Sequence, residues 1–176
     1  MTDQTGRTAP VWPADTSGDA DRAWRVLPGI FAAGVRADAW DLPDRPTEVV
    51  CLSRTVPKVY DRSTRKIVRV HHRPFTYWES ADPAGLLGEL VEEIRDLAPG
   101  RQLILHCTLG LDRTGVVALA LLVRQGLTVD QAVAAYRTRR VRLPALDALD
   151  VFLSYASRQA LEASAGDVRQ GAASCG

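Results

Sequence analysis

One short stretch concentrates the residues able to do chemistry: His106-Cys107-Thr108-Leu109-Gly110-Leu111-Asp112-Arg113-Thr114-Gly115. A thiol and a guanidinium stand at its two ends, with a glycine between them. A loop of this kind, running from a strand into a helix, turns consecutive N–H groups and a helix N-terminus into one bowl, which is an anion site. Gly110 supplies the backbone freedom such a turn needs. Arg113 adds a planar fork that grips two oxygens of a phosphate. Thr108, Leu109, Gly110, Leu111, Asp112 and Arg113 are therefore the expected phosphate-binding residues. The same positive surroundings favour the thiolate of Cys107, a nucleophile able to attack phosphorus. Thr114 is placed to donate its hydroxyl to the sulfur and steady it as a leaving group.

The flanking sequence supplies the strand and the helix. Gln102-Leu103-Ile104-Leu105-His106 is an unbroken apolar run, as expected of a strand covered on both faces. An apolar helix is expected from about Thr114 to Gln125, stopped by Gly126. Upstream, Val26 to Val35 reads as a hairpin turning at Pro28-Gly29. Glu48 to Leu52 and Lys66 to His72 read as strands. Asp82 caps a helix whose first residue is Pro83, with Leu86, Leu87, Leu90, Val91, Ile94 and Leu97 facing inward. Thr128 and Gln131 form a capping box for the next helix. Pro144 opens the last one, with Leu146, Leu149, Phe152, Leu153 and Ala156 on its buried side. The alternation predicts an α/β fold: a central, mostly parallel sheet of four to five strands flanked by helices.

The whole chain has 176 residues, 22 basic against 21 acidic, for a net charge of +1. That balance leaves no basic footprint for nucleic acid. No run is long and apolar enough to span a membrane. The expected organisation is a flexible leader at 1–21, one domain at 22–163 and a loose polar tail at 164–176. Three cysteines, Cys51, Cys107 and Cys175, do not make a disulfide framework, which points to a reducing, cytoplasmic setting. His71-His72 lacks companion ligands at zinc spacing, so no metal and no cofactor are expected. Arg137, Arg139, Arg140 and Arg142 follow a helix and are read as solvated surface charge.

Cys107, five residues, then Arg113, flanked by His106 and Thr114-Gly115, resembles the signature loop of the cysteine-dependent protein tyrosine phosphatase superfamily. The short chain is most similar to the dual-specificity and phosphatase-and-tensin branch. "VLPGIFAAG", "EVVCLS" and "RTGVVALALLVRQGLTVDQAVAAYRTRR" resemble its N-terminal strand pair, the next strand and the helix pair after the loop. The resemblance implies Cys107 as nucleophile, Arg113 as phosphoryl clamp, and His106 and Thr114 as assistants to the thiolate. Some relatives also carry a cysteine on the strand of Cys51, implying a disulfide between Cys51 and the oxidised nucleophile.

One expected part is missing. Family members protonate the leaving oxygen with an Asp on a loop before the cysteine, and Tyr77 stands at the aligned place in "RPFTYWESADP". Glu79, next to Trp78, is the first candidate for general acid, and Asp82 the second. Asp112 is a third possibility, with positioning of water or helix capping as its other readings. Leu111 stands where related bacterial loops have Lys, which weakens the case for a phosphoinositide substrate. Tyr77 and Trp78 either wall a substrate ring or pack beneath the loop. The function the resemblance implies is a phosphomonoester hydrolase working through phosphocysteine, a protein tyrosine or dual-specificity phosphatase acting on phosphorylated protein. The alternatives are a small-molecule phosphatase, whose substrate is a phosphorylated sugar, cyclitol, nucleoside or lipid head group, and a phosphate-binding pseudophosphatase.

Overall fold

A computed structural model describes residues 23–35, 40–58, 60, 67–140 and 142–173, with side chains to residue 165. The expected leader at 1–21 lies outside these residues. β1 (Trp24–Leu27) and β2 (Ile30–Ala33) form the antiparallel hairpin, turning at Pro28-Gly29 with Gly29 at φ 78°. β3 (Thr47–Cys51), β4 (Ile67–His72) and β5 (Gln102–His106) complete a five-stranded sheet in the order β1-β2-β5-β3-β4. Every pairing except β1–β2 is parallel. β5 is buried along its whole length, and its central place explains its unbroken apolar run.

Four helices follow: α1 (Pro83–Leu97), α2 (Asp112–Arg124), α3 (Val129–Arg137) and α4 (Leu146–Ala173). α1 is capped by Asp82, whose side chain accepts from Gly85 N, and α3 by the full Thr128–Gln131 capping box. The larger core lies between the sheet and α1, α2 and α4; it holds Val50, Leu52, Leu103, Leu105 and the central residues of α2. A smaller one, with Ala33, Trp40, Val49 and Ile104, covers the other face.

The parallel register aligns the strand ends: Ala33 pairs with His106, His106 with Cys51, and Cys51 with His72. The loops leaving β2, β5, β3 and β4 therefore converge on one edge, where an open parallel sheet places its site.

Several expectations need correction. α4 continues to Ala173 through most of the supposed loose tail, because once a helix is nucleated each further residue adds a bond at little cost. Its buried face is Ala148, Val151, Phe152, Tyr155 and Ala156, while Leu146 is 82% exposed and Leu153 also faces outward. Packing against α1 and α2 sets that phase. Arg140 is not surface charge: it is 4% exposed, packed near Tyr136. Among the described residues no helix is long and apolar enough to cross a membrane.

Candidate active site

The loop from Cys107 to Arg113 is held mainly by backbone. Val35 N donates to Thr108 O at 3.1 Å, and Leu52 N to His106 O at 2.8 Å. Gly110 lies at φ 69°, against the end of β2, where an added methyl would sit 2.6 Å from the Ala33 carbonyl oxygen. Both the dihedral and the space demand glycine. α2 starts at Asp112, two residues before its expected start, and Leu111 offers no side-chain cap. Its first N–H groups are thus left to the loop.

The Arg113 guanidinium is fixed across this loop. Nη1 donates to Leu52 O at 3.1 Å and Nη2 to Thr108 Oγ1 at 3.3 Å. Cys107 is buried at the loop's base. The early start of α2 carries Thr114 into its first turn and into the core. There its hydroxyl, like that of Tyr136, has no hydrogen-bond partner among the described residues, so the expected bond to the sulfur is not formed. Gly115 lets α3 approach: a methyl there would lie 2.8 Å from Tyr136 OH.

His106 acts on the backbone rather than on the thiol. Its Nδ1 lies 3.0 Å from Cys107 O, a carbonyl that only accepts, so Nδ1 carries the proton. Nε2 then accepts from Tyr60 OH. Burial first, then Arg113, pushes the His106 pKa down to about 4, and the ring is neutral. Tyr60 was invisible as a site residue, since only the chain's path between β3 and β4 brings it beneath the loop. Burial, and then Cys51, raise its pKa.

Cys51 is buried and free, its thiol facing Thr55 O at 3.8 Å. It sits opposite His106 in register, and strand alternation turns it to the face of Val49 and Tyr60. Cys107 packs in the core on the other face. The link implied for the oxidised chain is not formed here, and both thiols are free.

The segment after β4 forms the rim. Tyr77, Trp78 and Glu79 make one turn of 3-10 helix. Tyr77 packs inward, its hydroxyl donating to Asp147 Oδ2 at 3.0 Å; burial and then this bond raise its pKa to about 12. Trp78 is 51% exposed, with its ring centroid 5.9 Å from the Arg113 guanidinium. Of the two aromatics, Tyr77 packs inward and Trp78 is left at the surface beside Arg113.

The three carboxylates have different occupations. Glu79 is exposed and ion-paired with Arg54. Asp82 accepts from Gly85 N at 3.1 Å and meets Arg158 at 2.7 Å. Arg158 first, and the Gly85 N–H second, hold its carboxyl below the usual range, as suits a helix cap. Asp112 Oδ1 accepts from Ala145 N at 2.8 Å and ties the approach to α4 to the start of α2. His71 bonds Glu48 at 2.7 Å, and among the described residues no group of three or more metal-ligating side chains occurs.

A buried cysteine and a pinned arginine, at the two ends of one loop on the carboxyl edge of a mostly parallel sheet, define a cysteine-dependent phosphatase. A sequence model of the tyrosine phosphatase family matches residues 58–166, and the chain belongs to that family. No curated protein matches it in sequence. Solved structures share the fold. Human DUSP28 is 20% identical with a TM-score of 0.61, covering 86% of this chain and 99% of its own. Tk-PTP in its active form is 21% identical at 0.61, with 84% and 99% covered. The human tyrosine phosphatase-like serine/threonine/tyrosine-interacting protein is 15% identical at 0.58, with 79% and 98% covered.

Proposed function

We propose that residues 22–163 form a metal-independent phosphatase unit that cleaves phosphotyrosine in proteins through a phosphocysteine intermediate, in a reducing compartment. The observation carrying this reading is the Arg113 guanidinium, already fixed by Leu52 O and Thr108 Oγ1 on the loop whose base is buried Cys107. Pre-orientation of that kind is what electrostatic stabilisation of a transferring phosphoryl group needs. The thiolate attacks phosphorus, an S–P bond forms and the P–O bond to the leaving group breaks. Glu79 delivers a proton to the departing oxygen. Water then gives a proton to the Glu79 carboxylate and attacks phosphorus, the S–P bond breaks, phosphate is released and the thiolate and the protonated acid are regenerated. Arg113 and the N–H groups of residues 108–112 hold the non-bridging oxygens throughout. His106, bonded to Cys107 O and Tyr60, keeps the loop in register.

Hydrolysis of an aryl phosphate tests it. Cys107→Ser should lose at least about a thousandfold in turnover while still binding orthovanadate. Arg113→Ala should lose both turnover and binding. Chelators should have no effect. Retention of a few per cent of the wild-type rate by Cys107→Ser overturns the covalent route. Glu79→Gln should slow substrates with poor leaving groups by about 10²–10⁴-fold and barely touch those with good ones. A uniform effect across leaving groups removes Glu79 from the acid's role.

A further inference from the structure

Arg54 follows Ser53 in the loop leaving β3 and is the second guanidinium at the mouth of the site. It lies 5.7 Å from the ring centroid of Trp78, the same indole that approaches Arg113 at 5.9 Å. One ligand seated against Trp78 is therefore within reach of both cations. Arg113 is committed to the loop by two bonds. Arg54 is exposed and pairs with a similarly exposed carboxylate, Glu79.

An exposed ion pair of this sort contributes little to stability, is screened by salt and exchanges readily. A carboxylate engaged by a guanidinium is also held in place, away from any other partner. The pair thus occupies a cation able to bind an anion and restrains the group assigned as acid.

We propose that Arg54 is a second anion site of the substrate pocket, and that Glu79 occupies it as a placeholder. A substrate with a second anionic group close to its scissile phosphate displaces Glu79 from Arg54; the freed carboxylate takes a proton from water and turns toward the leaving oxygen. The chemistry selected is an aromatic phosphomonoester with a neighbouring carboxylate or phosphate. This rests on the reading of Cys107, Arg113 and Glu79 given above. Leu111 offers no cation at the loop itself, so Arg54 bears the preference for a second charge.

The test compares three substrates on the full chain: a phosphotyrosine peptide flanked by Asp and Glu, the same peptide flanked by Asn and Gln, and a phenyl phosphate bearing a ring carboxylate. Wild type should favour the acidic peptide over the neutral one by roughly tenfold in kcat/KM, the scale of one charge-assisted hydrogen bond at a wet site. The preference should shrink between about 50 and 300 mM salt. Arg54→Gln should bring the ratio to within about twofold, and Arg54→Lys should keep part of it. Glu79→Gln, which empties the placeholder, should lower KM for the acidic peptide while lowering kcat. The carboxylated phenyl phosphate separates the sources: preference for it too assigns the site to a bare anion, and preference for the peptide alone assigns it to a peptide side chain. Equal rates on acidic and neutral peptides in wild type, or a preference that survives Arg54→Gln, overturn the proposal and leave the phosphatase reading standing. Absence of all phosphomonoester turnover overturns both.

Discussion

The phosphate loop and the rim across from it are held in different ways. Residues 107–113 are fixed by backbone: Val35 N on Thr108 O, Gly110 against Ala33, and Arg113 on the Leu52 carbonyl. On the rim, Tyr77 packs inward, while the exposed carboxylates are held by ion pairs, Glu79 with Arg54 and Asp82 with Arg158. Backbone contacts in a desolvated place are strong and tolerate little change, whereas exposed ion pairs are weak and exchangeable. In the function proposed above, the phosphoryl group meets the rigid part and the rest of the substrate meets the adaptable one.

Breaking the rigid half should have the largest effect. Gly110→Ala must accept a left-handed dihedral and a collision with Ala33, and should cost roughly 3–5 kcal/mol in urea denaturation, with turnover falling too. A loss under about 1 kcal/mol would show that the loop yields. Acid attacks the same half from beneath. His106 has a folded pKa of about 4, against an ordinary 6.5, so the unfolded chain takes up its proton first. This contribution is complete above about pH 6.5 and is lost as pH falls toward 4, about 3 kcal/mol in all. Stability curves at pH 7, 5.5 and 4 should show that slope, and His106→Asn should flatten it.

The rim should respond least. Asp82 has a lowered pKa, so its contribution is present above the unfolded value and disappears only as pH falls below that window. Asp82→Ala should lower thermal stability by less than either change above, and that loss should shrink in high salt. Its dependence on leaving group should match wild type. Should Asp82→Ala instead slow poor leaving groups, the acid lies there and Glu79 is displaced.

Local signals carried much of this far. Pro28-Gly29, Asp82-Pro83 and Thr128 with Gln131 acted where their short-range chemistry predicts, because turns and caps involve neighbours only a few residues away. The Cys107–Arg113 spacing marked the loop for a similar reason. Tyr60 carried no such mark: its partner His106 lies forty-six residues further on.

What the residues alone determined was the strand–loop–helix that gathers Cys107, Gly110 and Arg113, since glycine freedom, helix starts and apolar runs are local properties. What tertiary structure decided was every question of facing. Strand alternation turned Cys51 away from Cys107, helix packing exposed Leu146 and buried Arg140, and the parallel register brought Arg54 and Trp78 to one mouth. Facing depends on which surfaces meet, and a linear pattern leaves the phase and register of each element open until they pack.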